Sequence, residues 1–326
     1  MTGGRLLVTG ATGFVGRHVL AALRGHAPRA PLRLLVHREA PAPDVASTSD
    51  IVYGDLADPR SLHGLCGGVD TVLHLACYVG DDEARCEVVN ARGTEALVAV
   101  AQAAGVRRIL YLSNAAVYGY AVHRQASEAE VDVAPATPIS RSRARAERAV
   151  LAAGGIVLRP LFIYGDGDTR FLPALIRALG RLPFLINGGR ARLSLIAAED
   201  LGRVIAALAR LAWTEADAGP YHVNDTHAVT LQEIVETLRR YFEVPRPWFP
   251  LPYALARWLL HLAADPSPSA RHRAFLVAYD HSYDASRLWR RLPLSPGEPF
   301  VAQLERCVPW YARFARRRDA THAAVG

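Results

Sequence analysis

Residues 9–16 read TGATGFVG, with a glycine every third position where an apolar run gives way to a helix-like segment. That spacing suits a diphosphate. Gly10 permits the tight turn, Gly13 lets the backbone approach the pyrophosphate, and Gly16 lets the helix pack close to the strand, while the helix N-terminus faces the phosphates. Thr12, Phe14 and Val15 belong to the same cradle. The competing reading is a plain strand–turn–helix with incidental glycines. At the end of the second apolar run stand His37 and Arg38, followed by Glu39. A carboxylate at that point suits the ribose hydroxyls of NAD, whereas an arginine suits the 2′-phosphate of NADP. The expected cofactor is therefore NADP(H), held through Arg38, with NAD possible and a merely solvated Arg38 as the alternative.

The elements that must position this loop can be read in order. Runs at 5–10 (RLLVTG), 32–38 (LRLLVHR), 50–56 (DIVYGDL), 71–76 (TVLHLA) and 108–115 (RILYLSNA) are strand-like, and 155–165 (GIVLRPLFIYG) is a sixth. Helical patterns lie between them, and the one before residue 108 closes on Gly105 as a C-cap. Nearly continuous apolar strands alternating with helices predict a parallel sheet covered on both faces. The fold class is thus α/β, a Rossmann-type doubly wound parallel sheet with a smaller C-terminal substrate domain. Residues 1–165 form the dinucleotide-binding domain, with a returning strand near 220–225. Residues 166–315 are mainly substrate domain, and 316–326 are a loose tail.

Composition narrows the function. Of 326 residues, 51% are hydrophobic and 21% charged, an ordinary globular mixture. The net charge of +7 is carried without a single lysine, and the arginines are scattered apart from Arg141, Arg143, Arg145 and Arg148. Nucleic-acid surfaces need clustered basic residues with interleaved aromatics, so no nucleic-acid partner is expected. Cys66, Cys77, Cys86 and Cys307 form no CxxC pair, so no metal is expected and a cytoplasmic location with free thiols is. The apolar run at 252–264 is broken by Arg257 and His261 and is too short to cross a bilayer. It is read either as a wall for a hydrophobic substrate or as a core or dimer helix, which leaves a homodimer possible.

Eight motifs in sequence order resemble the extended short-chain dehydrogenase/reductase family, which includes NAD-dependent epimerases and dehydratases and 3β-hydroxysteroid dehydrogenases. TGATGFVG resembles the family's TGxxGxxG loop, and GDL at 54–56 places Asp55, with Leu56, at the adenine. HLA at 74–76 brings Leu75 and Ala76 to the middle of the cofactor, and NARGT at 90–94 matches the family's NxxGT element through Asn90. LSNAAVYG at 112–119, LRPLFIYGDGD at 158–168, LSLIAAEDLGRVI at 193–205 and the tail HSYDASRLWRRL at 281–292 complete the series.

The resemblance implies hydride chemistry with a tyrosine as acid/base, a lysine four residues later and a Ser/Thr hydroxyl at the substrate oxygen. This chain departs at all three. The helix reads ISRSRARAE at 139–147, so Ile139 stands at the tyrosine position and Arg143 at the lysine position, while Asn114, beside Ser113, takes the hydroxyl position. Isoleucine cannot transfer a proton, but arginine can supply a fixed cation and asparagine a hydrogen bond. Arg143 is expected at the cofactor ribose and, with Asn114 and Ser113, at the reaction. Tyr118 is a candidate substitute acid, with Tyr120, His123 and Tyr164 as others, although packing is the competing reading for Tyr118. Arg192 is expected to hold an acidic substrate group, with Arg190 competing. Three functions remain open: an NADP(H)-linked oxidoreductase or isomerase with non-standard residues acting on a small molecule, with a hydrophobic one among the candidates; a non-catalytic NADP(H) sensor or scaffold; and a cofactor-independent isomerase or cyclase.

Overall fold

The computed structural model describes residues 4–25, 30–182, 184–263 and 267–323, without the side chains of 260–263 and 315–323. The five leading apolar runs form β1 (Arg5–Thr9), β2 (Leu32–Val36), β3 (Ser49–Tyr53), β4 (Val69–His74) and β5 (Arg108–Leu112). The strands that follow are β6 (His123–Ala126), β7 (Ile156–Arg159), β8 (Phe162–Tyr164), β9 (Phe184–Ile186), β10 (Arg192–Leu193) and β11 (Leu195–Ala197). Later in the chain come β12 (Gly219–His222), β13 (Val229–Thr230), β14 (Phe249–Leu251) and β15 (His281–Tyr283).

Seven strands pair in parallel in the order β12-β7-β5-β4-β1-β2-β3. Alternate residues of each strand bury on opposite faces. Val8, Leu34, Leu110 and Leu158 meet Val19, Leu201 and Ile205 on one face, and Leu7, Val72, Tyr111 and Val157 meet Leu97 and Ala101 on the other. This is the doubly wound sheet that the continuous apolar runs predict. The order reverses between β1 and β4, so the crevice for a ligand opens at the carboxyl ends of those two strands.

The helix before β5 differs in detail. It turns through a π-helical stretch, Cys86–Arg92, before the α-helix Gly93–Ala103. Its end is as expected: Gly105 has φ +72° and the Val106 N–H donates to the Ala101 carbonyl at 2.9 Å. The single run expected over 155–165 is two strands. Pro160 lacks an N–H and stands where the ladder breaks, so β7 stays in the large sheet while β8 pairs with β11. The helix Phe300–Ala323 runs through most of the expected loose tail, and residues 324–326 lie outside the described residues.

Apart from the large sheet, a small mixed sheet, β13-β10-β15-β6, and the pair β14-β9 form in the region expected to carry the substrate domain. A third core of Leu161, Phe162, Leu193, Leu231, Leu276 and Leu304 packs there.

Candidate active site

The glycine loop leaves β1 and opens the helix Phe14–Arg24. Gly10 has φ +71°, and a Cβ there would lie 2.6 Å from the Ala76 nitrogen, so only glycine lets the loop lie against the end of β4. A Cβ on Gly16 would run into the Gly10 carbonyl oxygen. Gly13 is exposed and caps the helix without any side-chain hydrogen bond, and no acidic residue occupies the first turn. The N–H groups of that turn are thus open to an anion. Val15 is buried in the core, whereas Thr12 and Phe14 are half-buried at the rim.

Beside the loop, His74 fixes the end of β4. Its Nδ1 lies 2.7 Å from the Thr9 hydroxyl and its Nε2 lies 2.8 Å from the Thr94 hydroxyl. Thr94 spends its own proton on the Asn90 carbonyl at 2.5 Å, so it accepts from Nε2–H, and Thr9 donates to Nδ1. Burial, helped by the Arg143 charge, lowers the His74 pKa to about 3, so the imidazole stays neutral and structural. Leu75 and Ala76 are half-buried next to Gly10.

Asn90, expected at the cofactor, is instead a clamp. It is buried, its Oδ1 accepts the Tyr78 N–H at 2.7 Å, and its Nδ2 donates to the Tyr78 carbonyl at 2.9 Å and to Ser142 Oγ at 3.1 Å. It ties the loop after β4 to the helix Pro138–Ala152. Asp55 takes the Ala57 N–H at 2.9 Å and pairs with His37 at 3.1 Å, beyond the end of β2. Leu56 is buried beneath the helix that begins at Gly93. Arg38 is exposed, with no partner among the described residues.

The helix Pro138–Ala152 starts on a capping box of Thr137 and Ser140, with Pro138 in its first turn. Ile139 is half-buried, and one turn on Arg143 points inward. Arg143 lies near Cys77, Tyr111 and Glu147, while its Nε is buried without a partner among the described residues. Burial works against its charge, but Cys77, Tyr111 and Glu147 outweigh it and its pKa is raised, so the guanidinium is a permanent cation beside the cleft.

Asn114 ends β5 and caps the 3₁₀ turn Ala115–Tyr118: Oδ1 accepts the Ala116 N–H at 2.8 Å and Nδ2 donates to the Leu161 carbonyl at 2.9 Å. One N–H of the amide remains uncommitted. Ser113 is buried, and its hydroxyl has no partner among the described residues.

Tyr118, a candidate acid by sequence, is instead packed in the core, as the competing reading has it. The 3₁₀ turn rotates it into the core, where Arg159 Nη1 donates to its oxygen at 3.0 Å and its own proton goes to His222 Nε2 at 2.6 Å. Burial pushes its pKa up to about 12. His123 and Tyr164 are buried too, His123 against the Tyr283 hydroxyl at 3.1 Å, while Tyr120 is exposed and packs on His272 and Phe275. Arg192 is exposed on β10, where its charge acts on Glu233 and Asp280. Arg190, not Arg192, lines an open cavity of about 1020 Å³ shared with Arg124, Asn187, Tyr279 and Pro252.

Sequence reasoning passed over the mouth of the cleft. There Arg170 Nη2 donates to the Val79 carbonyl at 3.0 Å, the Ser269 hydroxyl bonds Asp81, and Arg273 lies close enough for its charge to act on Asp81. These residues sit on loops and on a later helix, with no motif of their own. Cys77, read from the sequence as a free thiol, lies next to Arg143.

A reversing parallel sheet with a glycine loop, an open helix N-terminus and an inward cation at its switch point defines a dinucleotide-binding α/β protein. The glycine cradle and the orphaned Arg143 nitrogen fit a nicotinamide dinucleotide. The profile of the NAD dependent epimerase/dehydratase family matches residues 6–223, and the chain belongs to that family. The 2-alkyl-3-oxoalkanoate reductase of Stenotrophomonas maltophilia (strain K279a) is 28% identical over 97% of this chain and 93% of its own. Sterol demethylase protein B of Methylococcus capsulatus (strain ATCC 33009 / NCIMB 11132 / Bath) is 30% identical over 94% of this chain and 97% of its own. Among solved structures, MoeE5 in complex with UDP-glucuronic acid and NAD superposes with a TM-score of 0.72 at 22% identity, covering 95% of this chain and 99% of that one. The family is one of NAD-dependent oxidoreductases, epimerases and dehydratases.

Proposed function

We propose that this chain is an NADP(H)-linked oxidoreductase that interconverts a ketone and a secondary alcohol on a hydrophobic, lipid-like substrate without a tyrosine acid. The observation that carries the reading is the half-buried Arg143, whose Nε is buried without a partner among the described residues and whose charge acts on His74 at the end of β4. When bound, the nicotinamide supplies or accepts the hydride. Arg143 holds the ribose hydroxyls and keeps positive charge next to the reacting oxygen, a role in which a guanidinium loses nothing to its inability to deprotonate. The uncommitted N–H of Asn114 and the Ser113 hydroxyl donate hydrogen bonds to that oxygen as negative charge develops on it. The proton then comes from water, because Ile139 has none to give.

Exposed and unpaired at the end of β2, Arg38 supports a preference for the 2′-phosphate. The apolar substrate class is supported by relatives whose names refer to an alkyl-oxoalkanoate and to sterols. The test is NADPH consumption with a panel of 3-ketosteroids and 2-alkyl-3-oxoalkanoates, with UDP-sugars as the contrasting class. Turnover of a lipid ketone supports the reading, and turnover of a UDP-sugar alone overturns the substrate class. The isoleucine at 139 favours a second reading, a non-catalytic NADP(H)-binding protein. Tight NADPH binding without turnover of any member of the panel would select it.

A further inference from the structure

The stretch from Val244 to Ala264 contains no carboxylate, two arginines and a dense set of apolar residues. In the fold it forms β14 and the helix Tyr253–Ala263, and much of it faces solvent. Trp248 is 84% exposed and Trp258 57%, and Phe249, Leu255 and Leu259 are exposed with them. Among the described side chains, Tyr253 packs on Phe275 and Tyr279 and anchors the start of the helix. Ala256 is buried, whereas Leu255, Trp258 and Leu259 fall on one exposed stripe at helical spacing with Arg257 on its flank. Arg246 is exposed two residues before Trp248.

Single exposed apolar residues are ordinary, but two tryptophans, a phenylalanine and two leucines all stand exposed within twelve residues of chain, a density of apolar exposure uncommon on soluble surfaces. Its chemistry is specific. Tryptophan rings favour the headgroup level of a bilayer, leucine and phenylalanine the acyl boundary below it, and arginines the anionic lipid phosphates. Exposed Glu243 lies three residues before Arg246, yet neither Arg246 nor Arg257 forms an ion pair among the described residues. No helix among the described residues is long and apolar enough to cross a membrane, so the contact is with one leaflet.

We propose that the face formed by β14 and the helix Tyr253–Ala263 docks this protein on the surface of an anionic phospholipid bilayer. The open cavity described above begins at Pro250 and Pro252, so the docked face borders it. The docking itself needs neither nucleotide nor turnover. It goes beyond the proposed activity and gives a membrane-borne substrate a short route to the protein.

The experiment is flotation of the full chain with vesicles of phosphatidylcholine alone or mixed with phosphatidylglycerol. The chain floats with the mixed vesicles, and added salt weakens the association. Trp248→Ala with Trp258→Ala lowers vesicle affinity at least tenfold while leaving the melting temperature and NADPH affinity as in the wild type. Arg246→Ala with Arg257→Ala lowers affinity for the mixed vesicles several-fold and flattens the salt dependence. Failure of the wild type to float, or equal flotation of the tryptophan variant, overturns the proposal. So does a dimer in gel filtration that the tryptophan variant breaks, without vesicle binding, since the patch then belongs to a second copy. Vesicle binding without turnover of lipid ketones removes the proposed substrate and leaves the docking. Turnover in detergent without vesicle binding removes the docking alone.

Discussion

The two halves of the cleft keep their geometry in different ways. At the glycine loop the work is done by backbone, and side chains matter mainly by their absence: Gly10 turns at φ +71° and Gly16 has no room for a Cβ. At the helix Pro138–Ala152 the work is done by side-chain chemistry, and there the framework persists while the chemistry changes. The capping box, the Asn90 clamp to Ser142 and the buried Glu147–Arg159 pair at 2.5 Å all hold the helix in register, yet the two positions facing the cleft carry Ile139 and Arg143. The framework of the helix thus stands with isoleucine where the resemblance implies an acid, and the Arg143 charge, which also acts on His74, relates the two halves.

The largest effect is expected at the backbone end. Gly16→Ala forces a Cβ into the Gly10 carbonyl and should weaken NADPH binding about a hundredfold or more by calorimetry, since the diphosphate cradle cannot form without close packing of that helix. An alanine variant that binds normally would break the contrast between the halves. On the chemical side, Asn114→Ala removes a donor at the reacting oxygen and should lower kcat by about 10² with the nucleotide affinity unchanged. The same variant loses the cap on the Ala115–Tyr118 turn, so a thermal melt must accompany the rate. A full-rate Asn114→Ala would shift the donor role to Ser113.

Smaller again is Arg38→Ala. A charge-assisted contact to a phosphate is worth about 1.5–3 kcal/mol, so NADPH affinity should fall about tenfold or more while NADH affinity stays level. Equal losses for both nucleotides would mean that Arg38 touches neither 2′-group. Tyr118→Phe should hardly change kcat. It leaves buried Arg159 and His222 each short of a partner and should cost about 1–3 kcal/mol in denaturant unfolding. A dead but fully stable Tyr118→Phe would restore that tyrosine as the acid.

Much of this was legible in the residues. The large sheet could be read because its strands are unbroken apolar runs, and the loop because glycine spacing is itself a backbone requirement. The strands β9, β10, β13 and β14 could not, being two or three residues long and defined by their partners rather than by periodicity. The break at Pro160 was readable in principle, since proline cannot donate to a ladder, but the apolar run on both sides masked it. Motif positions such as Asn90 and Tyr118 were legible as places and not as roles. Whether a polar side chain meets a ligand or clamps a neighbour depends on a rotation of one residue, as the 3₁₀ turn before Tyr118 shows. Arg170, Arg273 and Asp81 come together only through the tertiary fold.

The central claim is that Arg143 serves as the fixed cation of a working dinucleotide site whose tyrosine is absent. Calorimetric titration of NADPH into the wild type and into Arg143→Ala tests it most directly, with circular dichroism confirming that both are folded. The account predicts saturable one-site binding to the wild type and an affinity about tenfold or more lower in the variant, the loss of a charged hydrogen-bond donor at the ribose. Equal affinities for the two proteins would contradict it, because the half-buried guanidinium would then be no more than a structural neighbour of Cys77 and Tyr111.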